Sequence, residues 1–294
     1  MKPTDIAQPD YFHKVVDCQW ACPAHTPVPE YIRLIAQGRY DDAYLVNWKS
    51  NVFPGILGRT CDRPCEPACR RVRVEEGSPE HRKAHAKPEA VAICRLKRAA
   101  ADYKGDIRPH LPKPAAKGNG KRVALVGAGP ASLTVARDLA PHGYQCVVFD
   151  GDPKAGGMMR TQIPKFRLPD RVIDEECGYV LDLGVEFRAG TRVDSMAALL
   201  AEVADAVFVG SGAPRGRDLD IPGRREAAKR IHIGIDWLSS VSFGHTTSIG
   251  KRVVVLGGGN TAMDCCRSAR RLGGEEVHVV VRSGFDEMKA SPWE

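Results

Sequence analysis

Two strand–glycine turn–helix units behind a cysteine-rich, strand-free front predict an α/β chain. It should hold two dinucleotide-binding, Rossmann-like modules preceded by an all-α domain. The first unit, KRVALVGAGPASLTVARDLAPHGYQCVVFD at 121–150, carries the clearest signal. Val123 to Val126 is a short apolar β run that breaks into Gly127-Ala128-Gly129-Pro130-Ala131-Ser132. A helix with Leu133, Ala136, Leu139 and Ala140 on one face follows, then a second apolar run from Cys146 to Phe149 that ends at Asp150. Gly127 suits the tight turn, and Gly129 lets backbone approach a pyrophosphate. The helix N-terminus behind them favours anions through free N–H groups and its dipole. Ser132, in place of a third glycine, is small enough to keep helix and strand close. Asp150 can accept hydrogen bonds from an adenosine ribose.

The front of the chain, residues 1–105, reads as helix and loop. Pro27-Val28-Pro29-Glu30 opens a helix through Tyr31 to Ala36, with proline near its first turn, and Gly38 ends it. A helix from Asp41 follows, then a loop at 51–55, the cysteines, and a helix from Ala90 to Asp102 with Val91, Cys94, Leu96 and Ala99 at helical spacings. Residues 106–120, rich in Pro, Lys and Gly, read as a linker.

Behind the first unit, Gly156-Gly157 and IPKFRLP at 163–169 occupy a loop that leads into a helix from Pro169. Val185–Arg188 reads as a short strand and Asp205–Gly212 as a buried one. Residues 251–282 then repeat the opening pattern: strand Val253–Leu256, turn Gly257-Gly258-Gly259-Asn260-Thr261-Ala262, helix Met263–Leu272 and strand Val277–Val281. Two such units imply two nucleotides, the arrangement of an oxidoreductase that binds a flavin and a nicotinamide. The second strand ends at Arg282, where an acid would otherwise hold a ribose hydroxyl, and a guanidinium suits a 2′-phosphate. NADP(H) is therefore favoured over NAD(H). The expected modules are 121–250 for FAD and 251–294 for NAD(P). The second is read as incomplete, because the sequence stops at Trp293-Glu294.

The chain has ten cysteines, and six of them (Cys18, Cys22, Cys61, Cys65, Cys69 and Cys94) fall in the first 94 residues. The N-terminus shows no signal-peptide pattern and no apolar run is long enough to span a membrane, so a cytoplasmic protein is expected and a disulfide framework is not. The Cx3C spacings are wider than the usual zinc pairs. Proline after Cys22 matches a ferredoxin-like feature, so an iron–sulfur cluster leads and zinc is the alternative. Residues 59–98 hold 11 Lys/Arg against 6 Asp/Glu, which suits a bound anionic centre, an acidic partner or simply a solvated face. The segment lacks interleaved aromatics, which argues against nucleic acid. Cys146 and Cys177 read as core, and Cys265-Cys266 point to different helix faces. No CxxxxC pair follows the first glycine turn, which argues against a disulfide reductase.

In order along the chain, CP at 22–23, GRTCDRPCEPAC at 58–69, VAICRLKR at 91–98, VGAGPAS at 126–132, GG at 156–157, IPKFRLP and GGGNTAMD at 257–264 closely resemble the glutamate synthase small-subunit family. That family includes the N-terminal half of dihydropyrimidine dehydrogenase. The resemblance implies hydride transfer from NADPH to FAD, then electrons through 4Fe-4S clusters to a partner protein or large subunit. It carries Gly156, Gly157 and Arg167 over as cofactor-binding, and makes 1–105 a 4Fe-4S domain. It also places Cys22, Cys61 and Cys65 in one cluster, and Cys18 and Cys69 in another. Two departures matter. No further cysteines precede Cys18, so one cluster is expected. The family's Gln or Glu ligand falls near Lys97, which cannot ligate, so Cys94, one turn earlier, is expected as the fourth ligand. Ser283 breaks an Arg-Arg pair common at the 2′-phosphate site. No catalytic acid or base is assigned. The alternatives are a dedicated glutamate synthase small subunit and, from another class, a non-catalytic redox sensor or zinc-stabilised binding module.

Overall fold

The computed structural model describes residues 16–73, 89–202 and 204–291. The N-terminal stretch, part of the basic 59–98 segment and the terminal Trp293-Glu294 lie outside the described residues. The chain divides into two compact units, 1–111 and 112–294.

The first unit is helical, with no strand among its described residues. Its helices are α1 (Asp17–Trp20), α2 (Val28–Ala36), α3 (Tyr40–Asn51), α4 (Pro54–Thr60), α5 (Arg70–Arg73) and α6 (Ile93–Tyr103). Pro29 and Pro54 sit in the first turns of α2 and α4, where their missing N–H groups cost nothing. Val28, Tyr31 and Leu34 line the buried face of α2 and pack with Ala43, Cys65, Ile93 and Ala100. One cysteine of the cluster segment is thus part of this core. Ile107 and Leu111 are also buried, so the front of the expected linker is packed chain.

The second unit holds two parallel sheets. Four strands, β1 (Arg122–Val126), β2 (Gln145–Phe149), β3 (Glu186–Arg188) and β4 (Ala206–Val209), lie in the order β3-β2-β1-β4. Val123 pairs with Cys146 on one side and with Ala206 on the other. Helices α7 (Pro130–Leu139), α8 (Met158–Thr161), α9 (Asp170–Leu181) and α10 (Met196–Glu202) accompany this sheet. Helix α11 (Gly234–Ser242) precedes a two-stranded sheet of β5 (Arg252–Leu256) and β6 (Glu276–Val280), joined by α12 (Asn260–Arg271). The strand–turn–helix–strand order is as the sequence predicts in both modules.

One expectation is corrected. The run 205–212 was expected to form a buried strand, but β4 covers only Ala206–Val209, and Val209 is 58% exposed. Its apolar composition suits a central parallel strand, yet β4 is the last strand of the described sheet, so one of its sides has no neighbour.

Candidate functional site

The first glycine turn leaves β1 at its C-terminal end, the usual place for ligands of parallel sheets. Gly127 has φ +93, and a Cβ there would lie 2.6 Å from the Gly210 carbonyl oxygen. Only glycine fits. Gly129 caps α7, and no side chain caps the helix, so its first N–H groups keep their affinity for an anion. Pro130 and exposed Ala131 form the first helical positions. Ser132 is fully buried against Gly210, and its Oγ is without a hydrogen-bond partner. Its small size is what that close approach requires.

Asp150 stands at the end of β2, where the sequence places it. Its Oδ2 accepts a 2.5 Å hydrogen bond from Ala128 N–H, and its Oδ1 accepts from Asp152 N–H at 2.8 Å. The carboxylate therefore braces the glycine turn. Gly156 donates its N–H to the Ala128 carbonyl at 2.9 Å. Gly157 has φ +49, and a Cβ there would fall 2.8 Å from Gly129 Cα. The GG pair is thus the second wall of the same cradle.

The second turn repeats this geometry. Gly257 leaves β5 with φ +132, Gly259 caps α12 without a side-chain cap, and Thr261 is exposed in the first turn. Asn260 is differently engaged. Its Oδ1 accepts from Ser291 N–H at 2.7 Å, while Ala290 N–H donates to Gly258 O at 2.9 Å. Residues 290–291 therefore strap across the turn. Arg282 is exposed just past β6.

Arg167 is engaged by the second module. Its guanidinium makes a 2.6 Å ion pair with Asp264 of α12, with both side chains at most 10% exposed. Sequence reasoning missed Asp264 as a partner, although it ends the GGGNTAMD motif.

In the first unit, Cys61 and Cys94, and Cys94 and Cys65, act on each other's thiols, while Cys94 N–H donates to the Glu66 carboxylate at 3.0 Å and Arg63 N–H to the Cys61 sulfur at 3.3 Å. Interaction with Cys94, followed by burial, pushes the Cys61 thiol well up. For Cys94, interaction with Cys61 pulls down, while interaction with Cys65 and burial prevail and push it up to about 12. Buried Lys97 acts the other way on both, favouring thiolate. Burial drives the Tyr31 hydroxyl up, and Cys65, Cys94, Cys18 and Cys22 add to it through space; of these, Cys65 lies in the same core as Tyr31, with Cys18 packed against it. Tyr31 also donates to the Ile93 carbonyl at 3.2 Å. Cys22 is tied by its thiol to buried Thr26 at 3.5 Å. Cys18 is raised chiefly by burial, with a further contribution from Cys69. The Asp17–Arg70 ion pair, 3.0 Å, joins the neighbours of those two cysteines.

Among the described residues, no group of three or more His, Cys, Asp or Glu side chains is placed to hold a metal ion. A 4Fe-4S cluster makes a different demand, because each cysteine binds a different iron. Cys65 shares a core with Tyr31, Cys18 packs against that core, and Cys94 and Lys97 are buried on α6, so the donor chemistry in this unit is thiol-rich, as such a cluster requires. All ten cysteines are free thiols.

Residues 121–287 match the model of the pyridine nucleotide-disulphide oxidoreductases. The chain belongs to this family. Residues 12–108 match a second model, dihydropyrimidine dehydrogenase domain II with its 4Fe-4S cluster. FAD, a nicotinamide dinucleotide and a 4Fe-4S cluster are the cofactors that go with these two matches. The chain is 36% identical to NADPH-Fe(3+) oxidoreductase subunit beta of Geobacter sulfurreducens, over 99% of this chain and 43% of that one. It is 36% identical to NADP(+)-dependent formate dehydrogenase subunit beta of Moorella thermoacetica, covering 93% of this chain and 40% of the relative. It is 32% identical to glutamate synthase (NADPH) small chain of Mycobacterium tuberculosis, over 94% and 57%. The chain thus spans about half the length of the relatives it matches. The motif-based resemblance to the glutamate synthase small-subunit family is borne out. No helix among the described residues is long and apolar enough to cross a membrane.

Proposed function

We propose that this chain is the electron-entry part of an FAD-dependent NAD(P)H oxidoreductase subunit, which passes electrons through its cysteine domain to a partner protein. The observation that carries this reading is the pair of uncapped glycine-turn helices in one unit, one beside Asp150 and the other beside Arg282. In this reading FAD takes the first turn. Gly127, Gly129 and Gly157 admit its pyrophosphate, Pro130, Ala131 and Ser132 shape the helix start, and Asp150 receives its ribose. NADP(H) takes the second turn, at Gly257, Gly259, Asn260 and Thr261, with Arg282 on the 2′-phosphate.

When bound, these groups supply the redox chemistry: hydride from the nicotinamide, two-to-one electron splitting at the flavin, and single-electron carriage by the cluster. The chain's own part is positioning and electrostatics. The two helix N-termini hold anions in place, and Arg282 selects the phosphorylated cofactor. Cys22, Cys61, Cys65 and Cys94 hold the cluster, and the Lys97 ammonium offsets thiolate charge. Cys18 and Cys69 stay as an additional thiol pair. The acceptor is a partner protein, a large subunit among the options, and the setting is the cytoplasm.

Anaerobic titration of the purified chain with NADPH and with NADH tests this reading. Flavin bands that bleach with NADPH at lower concentration than with NADH are expected. A colourless protein that holds zinc and no flavin would refute it.

A further inference from the structure

Residues 163–169 lie in the first module, but their side chains reach the second. Arg167 pairs with Asp264 at 2.6 Å. The neighbouring Phe166 ring is covered by two guanidinium groups of α12, Arg271 at 3.8 Å and Arg267 at 4.8 Å. Asp264, Arg267 and Arg271 are three and four residues apart, so they form one stripe along the helix. The loop that presents Phe166 and Arg167 is itself rigidly held. Arg167 and Leu168 donate their N–H groups to the Pro164 carbonyl at 2.9 and 3.0 Å, and Leu168 is fully buried. Behind it, the buried Arg160 guanidinium joins α8 to α9, bonding the Ala155 carbonyl at 2.9 Å and Asp174 at 2.6 Å.

We propose that Phe166 and Arg167 clamp the Asp264–Arg267–Arg271 face of α12 and so fix the second glycine helix against the first module. Arg167 is then a positioning residue. Its role differs from the cofactor contact that the sequence motif suggests. The consequence for electron transfer rests on the proposed function: α12 presents its N-terminus to the nicotinamide dinucleotide, and the clamp sets where that ring lies relative to the flavin. A buried, hydrogen-bonded ion pair suits this task because removing either partner leaves an uncompensated charge, whereas exchanging the two residues keeps the pair.

The test uses the purified full chain with its bound FAD. The variants are Arg167→Met, Asp264→Asn, Phe166→Leu and the exchange Arg167→Asp/Asp264→Arg, read by amide hydrogen exchange, FAD content and the rate of flavin reduction by NADPH. The single charge variants should keep FAD. They should speed exchange in both 163–168 and α12 by at least about tenfold, and slow flavin reduction by a similar factor, as expected for losing one charge-assisted bond. The exchanged pair should recover most of both. Phe166→Leu, which removes only a partly exposed ring, should give the same pattern at smaller size and serves if a charge variant fails to fold. Loss of FAD with unchanged exchange in α12 would make Arg167 a flavin ligand and overturn the clamp. Unchanged exchange in α12 in all variants that fold would overturn it as well. A wild-type chain that NADPH does not reduce would count against the proposed function, while the exchange measurement would still decide the clamp.

Discussion

Replacing Gly157 with alanine probes the cradle at its tightest point. The new Cβ would fall 2.8 Å from Gly129 Cα and 3.3 Å from Gly129 N, both backbone atoms of the phosphate-facing turn. Neither can swing away as a side chain would, so one of the two loops has to shift. The residue also sits at φ +49, ψ −133, a conformation that costs a non-glycine residue about 1–3 kcal/mol. Overpacking adds about 1–3 kcal/mol more. For a unit of this size, with about 2–4 °C of Tm per kcal/mol, the midpoint should fall by at least about 4 °C. FAD binding should weaken by at least about tenfold, since the turn that meets the pyrophosphate is the part displaced. Gly151→Ala is the control: nothing lies within 4 Å of its added Cβ, and the change should stay within about 0.5 kcal/mol. The assays are differential scanning calorimetry of the FAD-loaded chain and fluorescence titration of FAD into the apoprotein. A Gly157→Ala protein that melts with the wild type and binds FAD equally well would refute the two-walled cradle.

Three further outcomes follow from the same geometry. Arg282→Ala should raise the KM for NADPH by about tenfold or more and leave that for NADH nearly unchanged, as a lost charge-assisted bond of about 1.5–3 kcal/mol requires; parallel steady-state assays decide. In the helical unit, burial alone would raise the Asp102 pKa, but ion pairs with Arg59 at 2.5 Å and Arg98 at 3.1 Å outweigh it and hold the carboxyl below the usual range. A depressed folded-state pKa means stability that is present above the ordinary aspartate range and lost as pH falls through and below it; Asp102→Asn should lower stability near neutral pH and flatten that acid-side loss in urea titrations. Burial pushes the Cys146 thiol to about 11 and those of Cys177 and Cys265 to about 12, so mass spectrometry after native alkylation near neutral pH should find these three unmodified.

Much of this organisation is legible in the sequence because it is local. A strand, a glycine turn and a helix occupy one continuous stretch in each module, 122–139 and 252–271, and their periodicities reveal them directly. What escaped was set by contacts distant along the chain. Arg167 and Asp264 are 97 residues apart, and only the folded loop brings them together. The Asp150 carboxylate was expected to wait for a ribose, yet a backbone N–H 22 residues away already holds one of its oxygens. The edge position of β4 was hidden for a similar reason. An apolar run reports what a strand is made of, and its neighbours in the sheet decide how much of it is covered.

We propose that Cys94 completes a cluster with Cys22, Cys61 and Cys65 in front of a flavin module. Iron, sulfide and FAD quantified on anaerobically purified wild type and Cys94→Ala test it most directly. The account predicts four irons and one FAD per wild-type chain, in line with a single cluster, and a variant that keeps its FAD and loses most of its iron. Equal iron in the two proteins would contradict it and return the fourth ligand to Cys18 or Cys69.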